Sequence, residues 1–194
     1  MLNLLRPSHI SLLLLGISSL TGAQIPPQWT SGFSPAISLT AFFNGVEIST
    51  GQSIPLSETK SSPTFALGKN SVTCAESKYI IIALDPDAPS WASPVLHFMN
   101  TNFSAAELEE GSKNLTSTNK NATAPWLDPA PPAGTGPHRY IFLLFEQPEG
   151  NFHVKDVPGT STSDRLTFDV ERWRKDNHLH NAVAGTYFLA EAAS

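Results

Sequence analysis

An Asp-Pro-Asp sequence that directly follows a strongly apolar run is the clearest chemical signal in the chain. The run, residues 79–84, reads YIIIAL and is typical of a strand buried on both faces, because β-branched side chains fit a pleated surface. Pro86 and Pro89 lack N–H groups, so the loop that follows is stiff and cannot continue a sheet ladder. Since residues two apart in an extended segment point the same way, Asp85 and Asp87 are predicted to face one cavity. Taken alone, the same residues also fit an ordinary turn.

Two later segments place further polar side chains in apolar strands. In the sequence VLHFM, alternation puts His97 on the same strand face as apolar neighbours. A second apolar strand starts at His138, where a period of two puts Tyr140 on the same side and Arg139 on the other. Buried polar groups need hydrogen-bond partners, so we expect these side chains to share one pocket with the two Asp residues.

Three sequence blocks resemble the signature motifs of the phosphatidylethanolamine-binding proteins. They are DPDAPS at residues 85–90, LHF at residues 96–98 and PPAGTGPHRY at residues 131–140, and VAGTY at residues 183–187 is similar to the last strand of that family. The resemblance covers residues 37–190 and suggests a secreted, fungal-like member. It implies a mainly β fold, with a central antiparallel-rich sheet, a second smaller sheet and one or two short helices.

The resemblance also implies a small pocket that accepts phosphate-like anions such as phospholipid head groups. The residues that match the motifs at the pocket are Asp85, Asp87, Pro89, His97, Pro132, His138 and Tyr140. Some family members inhibit serine peptidases or serine carboxypeptidases, and others regulate kinases. Because a secreted chain does not meet cytosolic kinases, a serine peptidase is the more concrete protein partner. Animal members carry a further C-terminal helix that borders the pocket, so a more open site is expected here.

An enzyme is the alternative interpretation of the same pocket. Asp85, Asp87, His97 and His138 are residue types that bind a divalent metal or act as acid and base in a hydrolase. However, the chain offers no convincing pair of nucleophile and base, and its Ser-rich loops lack a Gly-x-Ser-x-Gly elbow. We therefore predict a binding protein with no catalytic residues and no cofactor. No metal site is predicted, because His178 and His180, although spaced to chelate a metal, have no evident third ligand.

The first 23 residues have the pattern of a secretory signal peptide. Arg6 precedes an apolar block, and small residues at 21–23 suit a cleavage site. The block is well short of the roughly 20 residues that span a bilayer, and no later stretch is longer, so no transmembrane segment is predicted in the mature chain. We expect residues 24–194 to form one secreted domain.

The composition of the predicted domain limits the kinds of partner that it can bind. Loss of Arg6 changes the formal charge from -5 to -6, and no basic run is present, so nucleic acid is not expected as a partner. Cys74 is the single cysteine, which excludes an intrachain disulfide and favours a small buried core residue.

Two further patterns predict modification and local structure. Asn102, Asn114 and Asn121 each begin an N-glycosylation sequon within a polar tract that reads as a loop. Residues 162–164 followed by spaced apolar residues predict an N-capped helix with Arg165 on its wet face.

Overall fold

The computed structural model describes residues 25–74, 76–107 and 111–193. The predicted signal peptide lies outside these residues. Within them, no helix has the length and apolar character needed to cross a bilayer.

The described residues form nine strands and a few short helices. The strands are β1 (Leu39–Phe43), β2 (Val46–Ile48), β3 (Gln52–Ser53), β4 (Thr64–Leu67), β5 (Tyr79–Asp85), β6 (Val95–Glu107), β7 (Lys113–Ser117), β8 (His138–Glu146) and β9 (Ala184–Ala190). The helices are α1 (Pro27–Thr30) and α2 (Val170–Asp176), with 3-10 turns at Leu56–Thr59 and Thr162–Arg165. The strands join in one sheet with the order β2-β1-β4-β7-β6-β5-β8-β9-β3. Every neighbouring pair is antiparallel except β3 and β9. The mainly β prediction is confirmed.

The sheet curls so that its two halves face each other. Phe65 of β4 and Phe142 of β8 are four strands apart, which in a flat sheet would separate them by about 19 Å, yet their ring centroids are 5.1 Å apart. The long strand β6 makes this possible, because it pairs with β5 along its first part and with β7 along its last part. Asn102, between the two parts, has a φ of 59°. The predicted second sheet is therefore the β1-β2-β4 half of one continuous sheet.

Alternating residues of the central strands fill two different cores. Strand β5 is buried along its whole length, as its apolar run predicts. On β8, Tyr140 and Phe142 lie in an aromatic layer between the halves of the curled sheet. Ile141 and Leu143 lie on the opposite face, which is covered by α2 and its flanking segments. Because of this alternation, residues at the ends of neighbouring central strands lie on the same face of the sheet, where they can form one site.

The predicted helix begins later than its sequence pattern indicates. Residues 162–165 form only a 3-10 turn, and α2 begins at Val170, where the side chain of Asp169 accepts a hydrogen bond of 3.0 Å from the Arg172 N–H. Thr167, with a φ of 52°, separates the two elements. Arg165 is not on a wet face: it is buried, and its guanidinium donates to the carbonyls of Pro125 and His97.

Two other local predictions were wrong. Cys74 is exposed rather than part of the core. The polar tract after Gly111 is not all loop, because it contains β7, which pairs Leu115 with Phe65 and Ala105. Leu115 is the one buried residue of this otherwise polar strand, and its packing against the neighbouring strands holds β7 in the sheet.

Candidate functional site

The ends of three neighbouring strands meet at one cavity. Asp85 ends β5, His97 lies near the start of β6, and His138 begins β8, so antiparallel pairing brings all three to the same edge of the sheet. The cavity has a volume of about 290 Å³. Six of the seven predicted pocket residues line it: Asp85, Pro89, His97, Pro132, His138 and Tyr140.

A buried carboxylate and imidazole form the polar base of the cavity. His138 Nδ1 and Asp85 Oδ2 are 2.8 Å apart, and the two side chains are 2% and 5% exposed. The other oxygen of Asp85 accepts a hydrogen bond of 2.8 Å from the backbone N–H of Asp87. Both oxygens of Asp85 are therefore engaged, one in orienting His138 and one in holding the loop that follows.

Asp87 does not join the other pocket residues. Its carboxylate accepts hydrogen bonds from the Arg139 backbone N–H at 2.9 Å and from the Arg139 side chain, with Nε at 2.7 Å. Partial burial acts to raise the pKa of Asp87, but the hydrogen bonds from Arg139 outweigh it, so the pKa lies below its usual value. The four-residue cluster considered for a hydrolase is therefore not assembled. Asp87 instead fastens the Asp-Pro-Asp loop to β8.

His97 differs from His138 in charge and in hydrogen bonding. Burial lowers the pKa of His97, and the charge of Arg165 adds to this effect, although the Leu127 carbonyl and Asp85 oppose it. The imidazole is thus neutral near pH 7. Because the Leu127 carbonyl, 2.6 Å from Nδ1, can only accept, the single proton lies on Nδ1. Nε2 is left as an acceptor.

Tyr140 brings a buried hydroxyl that the protein does not fully satisfy. The residue is 1% exposed, and the hydroxyl makes no hydrogen bond of ordinary geometry within the described residues. Its ring lies edge-on to His97 and stacks on Phe188, with centroid distances of 5.0 and 5.1 Å. Burial and the nearby charge of Asp85 raise its pKa, so the hydroxyl keeps its proton. Its contact with the Ala130 backbone is not a hydrogen bond of ordinary geometry, so the hydroxyl is a buried donor that a ligand in the cavity can satisfy.

Comparisons with known proteins identify the family of the chain. A family model described as "Phosphatidylethanolamine-binding protein" matches residues 38–188. The chain belongs to the phosphatidylethanolamine-binding protein family. It is 28% identical to the carboxypeptidase Y inhibitor of Saccharomyces cerevisiae, over 83% of this chain and 87% of the relative. It is 26% identical to the phomoidride biosynthesis cluster protein N of Talaromyces stipitatus, over 89% and 94%.

Solved structures show the same fold. A crystal structure of carboxypeptidase Y inhibitor complexed with its cognate proteinase is similar with a TM-score of 0.67, at 24% identity over 83% of this chain and 86% of that chain. A phosphatidylethanolamine-binding protein from Plasmodium vivax is similar with a TM-score of 0.61, at 22% identity over 81% and 86%. The family model and the yeast relative are named for binding and for inhibition rather than for catalysis, in agreement with the predicted binding protein.

Sequence reasoning missed several residues around the cavity of this family member. Leu127, whose carbonyl holds His97, comes from the Pro-rich segment between β7 and β8, and Trp91 lines the cavity although it is 72% exposed. Thr135 places its hydroxyl 2.8 Å from His138 Nε2. Arg165 adds a buried positive charge behind His97. Of these residues, only Thr135 lies within one of the family motifs, residues 131–140. The glycines on either side of it indicate a special backbone conformation and not a side-chain contact.

The other candidate residues lie away from this cavity. His178 and His180 line an open groove of about 620 Å³ at the other end of β5 and β8. Within the described ranges, no group of three or more His, Cys, Asp or Glu side chains is placed to hold a metal ion. Among the sequons, Asn114 and Asn121 are exposed, whereas Asn102 is half-buried in β6.

Proposed function

We propose that this protein is a secreted binding protein whose cavity takes the phosphate-bearing head group of a phospholipid. The observation that carries the proposal is the buried Tyr140 hydroxyl, which has no protein partner of ordinary hydrogen-bond geometry among the described residues, in a cavity that also contains the Asp85–His138 pair. An unsatisfied buried donor is costly, and an anionic oxygen is the acceptor that would compensate it best. Pro89 and Pro132 supply stiff apolar walls, and Asp87 acts indirectly by fixing the loop.

The polar groups of the cavity also favour a ligand that carries a donor. Tyr140 offers a proton, but neutral His97 offers a lone pair on Nε2. A ligand with an anionic oxygen and an N–H or O–H group satisfies both. A volume of about 290 Å³ is at the lower end of small-molecule sites, which suits a head group rather than a whole lipid. Phosphoethanolamine has both features, whereas phosphocholine keeps the phosphate and lacks N–H donors.

Calorimetry with three small probes tests the proposal. Phosphoethanolamine is expected to bind, phosphocholine to bind more weakly, and ethanolamine not to bind at the same concentration. Removal of the N–H donors from the probe should cost about 0.5–1.5 kcal/mol, the range of one net hydrogen bond. Absence of binding by both phosphate probes, or equal binding of ethanolamine, would overturn the head-group proposal.

Peptidase inhibition is a second candidate function for the same protein. It is supported by the similarity to the yeast carboxypeptidase Y inhibitor and to the structure of that inhibitor with its proteinase. The test is a panel of serine carboxypeptidases and serine endopeptidases, assayed with and without the purified protein. Inhibition of one peptidase without cleavage of this chain is the expected result. Lack of inhibition across the panel together with measurable phosphoethanolamine binding would leave head-group binding alone.

Secretion is proposed from the leader pattern of residues 1–23. N-terminal sequencing of protein recovered from culture medium should give a start near Gln24. An intact Met1 in secreted material, or a product that stays inside the cell, would contradict it.

A further inference from the structure

The second nitrogen of His138 is already occupied by a side chain of the protein. Thr135 Oγ1 lies 2.8 Å from His138 Nε2 and also 2.8 Å from the carbonyl oxygen of Pro132. Thr135 is exposed and is not among the residues that line the cavity. The second nitrogen of the buried imidazole therefore faces the side chain of an exposed residue.

The number of available protons fixes the direction of these bonds. A threonine hydroxyl has one proton, and the Pro132 carbonyl can only accept, so the Oγ1–H donates to Pro132. The alternative would leave two oxygen atoms 2.8 Å apart with no proton between them. Thr135 Oγ1 then accepts from His138 Nε2–H. Since Nδ1 faces the Asp85 carboxylate at 2.8 Å, both ring nitrogens act as donors.

A tight turn holds the Thr135 hydroxyl in this place. The Thr135 N–H donates to the same Pro132 carbonyl at 3.3 Å, and Gly134 has a φ of 80°, the value that a type II turn needs at its third position. Gly136, on the other side, has a φ of 77°. The backbone thus fixes where the side chain starts, while its exposure leaves the hydroxyl able to rotate into solvent.

We propose that Thr135 is an internal ligand of His138 that competes with every ligand for Nε2–H, so that only an acceptor stronger than a hydroxyl, such as a charged oxygen atom, binds detectably. This inference rests on the proposed head-group function. To use His138 Nε2–H, a ligand must displace the Thr135 hydroxyl. A neutral acceptor replaces the neutral Thr135 hydroxyl as the partner of the same N–H and gains nothing, whereas an anionic oxygen forms a stronger bond because donor and acceptor then carry opposite charges. Asp85 is the charged group that directly contacts the imidazole, and its carboxylate balances the charge of the doubly donating ring.

The test compares Thr135→Val with the wild type, because valine keeps the branched shape and removes only the hydroxyl. The probes are inorganic phosphate and trimethyl phosphate, a neutral ester with the same phosphoryl acceptor. Removal of the competing bond should raise the affinity for both probes by about two- to tenfold, which lets the neutral ester bind detectably. Thr135→Ser keeps the hydroxyl and should return the affinity for both probes to about the wild-type value. Thr64→Val, at an exposed position on β4, serves as the control.

The possible outcomes separate this inference from the function on which it rests. Weaker or unchanged phosphate binding in Thr135→Val would overturn the internal-ligand role and make the hydroxyl a ligand contact or a bystander. If the wild-type protein binds no phosphate probe, the proposed function fails instead. In either case, ¹⁵N NMR of the His138 ring in the wild-type protein should show both nitrogens protonated. A ring with one unprotonated nitrogen would contradict the hydrogen-bond assignment directly.

Discussion

At the scale of single residues, the two cavity histidines have opposite roles because their first partners differ. His138 faces a carboxylate and a hydroxyl, whereas His97 faces a backbone carbonyl. The sequence predicted that both histidines would line one pocket, because each is a polar residue within or at the start of an apolar strand. It could not predict the partner of His97, because the Leu127 carbonyl lies 30 positions away in an irregular segment.

Tyr140→Phe should separate binding from stability. Loss of the hydroxyl is expected to weaken phosphoethanolamine binding by about 10- to 100-fold, the value of one hydrogen bond to a charged group. The free energy of unfolding should change little, because the contact of the hydroxyl with the Ala130 backbone is not a hydrogen bond of ordinary geometry. Tyr79→Phe is the matched control, since that hydroxyl is also buried without a partner of ordinary geometry but lies at the start of β5. Calorimetry and chemical denaturation measure the two effects, and a stability loss with unchanged affinity would contradict the assignment.

His97 should make the protein less stable in mild acid. Its pKa is lowered in the folded state, so below about pH 6.5 the unfolded chain binds a proton that folded His97 does not. Stability should therefore fall as the pH drops from about 6.5 towards the lowered pKa, by at most about 1.4 kcal/mol per pH unit.

Chemical denaturation of the wild type and of His97→Gln between pH 5 and pH 7.5 measures the contribution of His97 to the pH dependence of stability. The other histidines are common to both proteins, so the difference between the two profiles isolates His97. A flatter profile is expected for His97→Gln. Parallel profiles would show that His97 becomes charged in the folded protein as readily as in the unfolded chain.

At the scale of elements, a local turn explains why Asp87 departs from its predicted place. The rule that residues two apart point the same way holds only in extended backbone. Here Asp85 accepts from the N–H of Asp87, which is the hydrogen bond of an Asx-turn. The turn redirects Asp87 towards Arg139, on the side of β8 opposite to His138, where alternation correctly placed the arginine. The proline and aspartate residues of this loop predicted a turn. They did not indicate which of the two carboxylates would point away from the cavity.

Asp87→Ala should loosen the loop that carries the site. The ion pair is only 22% and 27% exposed at Arg139 and Asp87, so its loss is expected to cost about 1–2 kcal/mol of stability and to weaken phosphoethanolamine binding. Because the pKa of Asp87 is lowered, this stabilisation is present above about pH 4 and is lost as the pH falls through the folded pKa. Asp176→Ala removes an exposed ion pair of α2 and should change stability by less than about 0.5 kcal/mol. Equal losses in the two variants would contradict the role of Asp87 in the loop.

The strands also distinguish among the three sequons. Asn102 is engaged on both sides of its amide, where Oδ1 accepts from Gln147 at 2.8 Å and Nδ2 contacts Thr101 at 3.3 Å. A glycan on Nδ2 would break this arrangement inside β6. Asn114 and Asn121 are exposed and have room for a sugar.

We expect the secreted protein to carry glycans at Asn114 and Asn121 only. Asn114→Gln and Asn121→Gln should each increase electrophoretic mobility by one glycan step, whereas Asn102→Gln should not. Glycosidase treatment should bring all forms to one mobility. A glycan step lost in Asn102→Gln would contradict the prediction.

At the scale of the whole molecule, the cavity depends on the curl of the sheet. Alternation within each strand predicted which residues share a face, including His138 and Tyr140. The curl was not predictable from such local patterns, because it depends on the change of partners along β6 and on contacts between distant strands. The aromatic layer provides these contacts between distant strands. Phe142 lies at its centre and contacts Phe65, Trp126 and Phe188, with ring centroids 5.1–6.1 Å apart.

The two faces of β8 should therefore respond differently to matched substitutions. Phe142 supports Trp126, the residue before Leu127, whose carbonyl orients His97. Phe142→Leu is expected to lower stability by about 0.5–3 kcal/mol and to weaken phosphoethanolamine binding by about three- to tenfold through this chain of contacts. Leu143→Val, one position along the strand, disturbs only the helix-covered face and should lower stability in the same range while it changes affinity by less than about twofold. Denaturation gives the stability of each variant, and calorimetry under conditions where both are folded gives the affinity. If both variants bind as the wild type does, the aromatic layer shapes the fold without positioning the site.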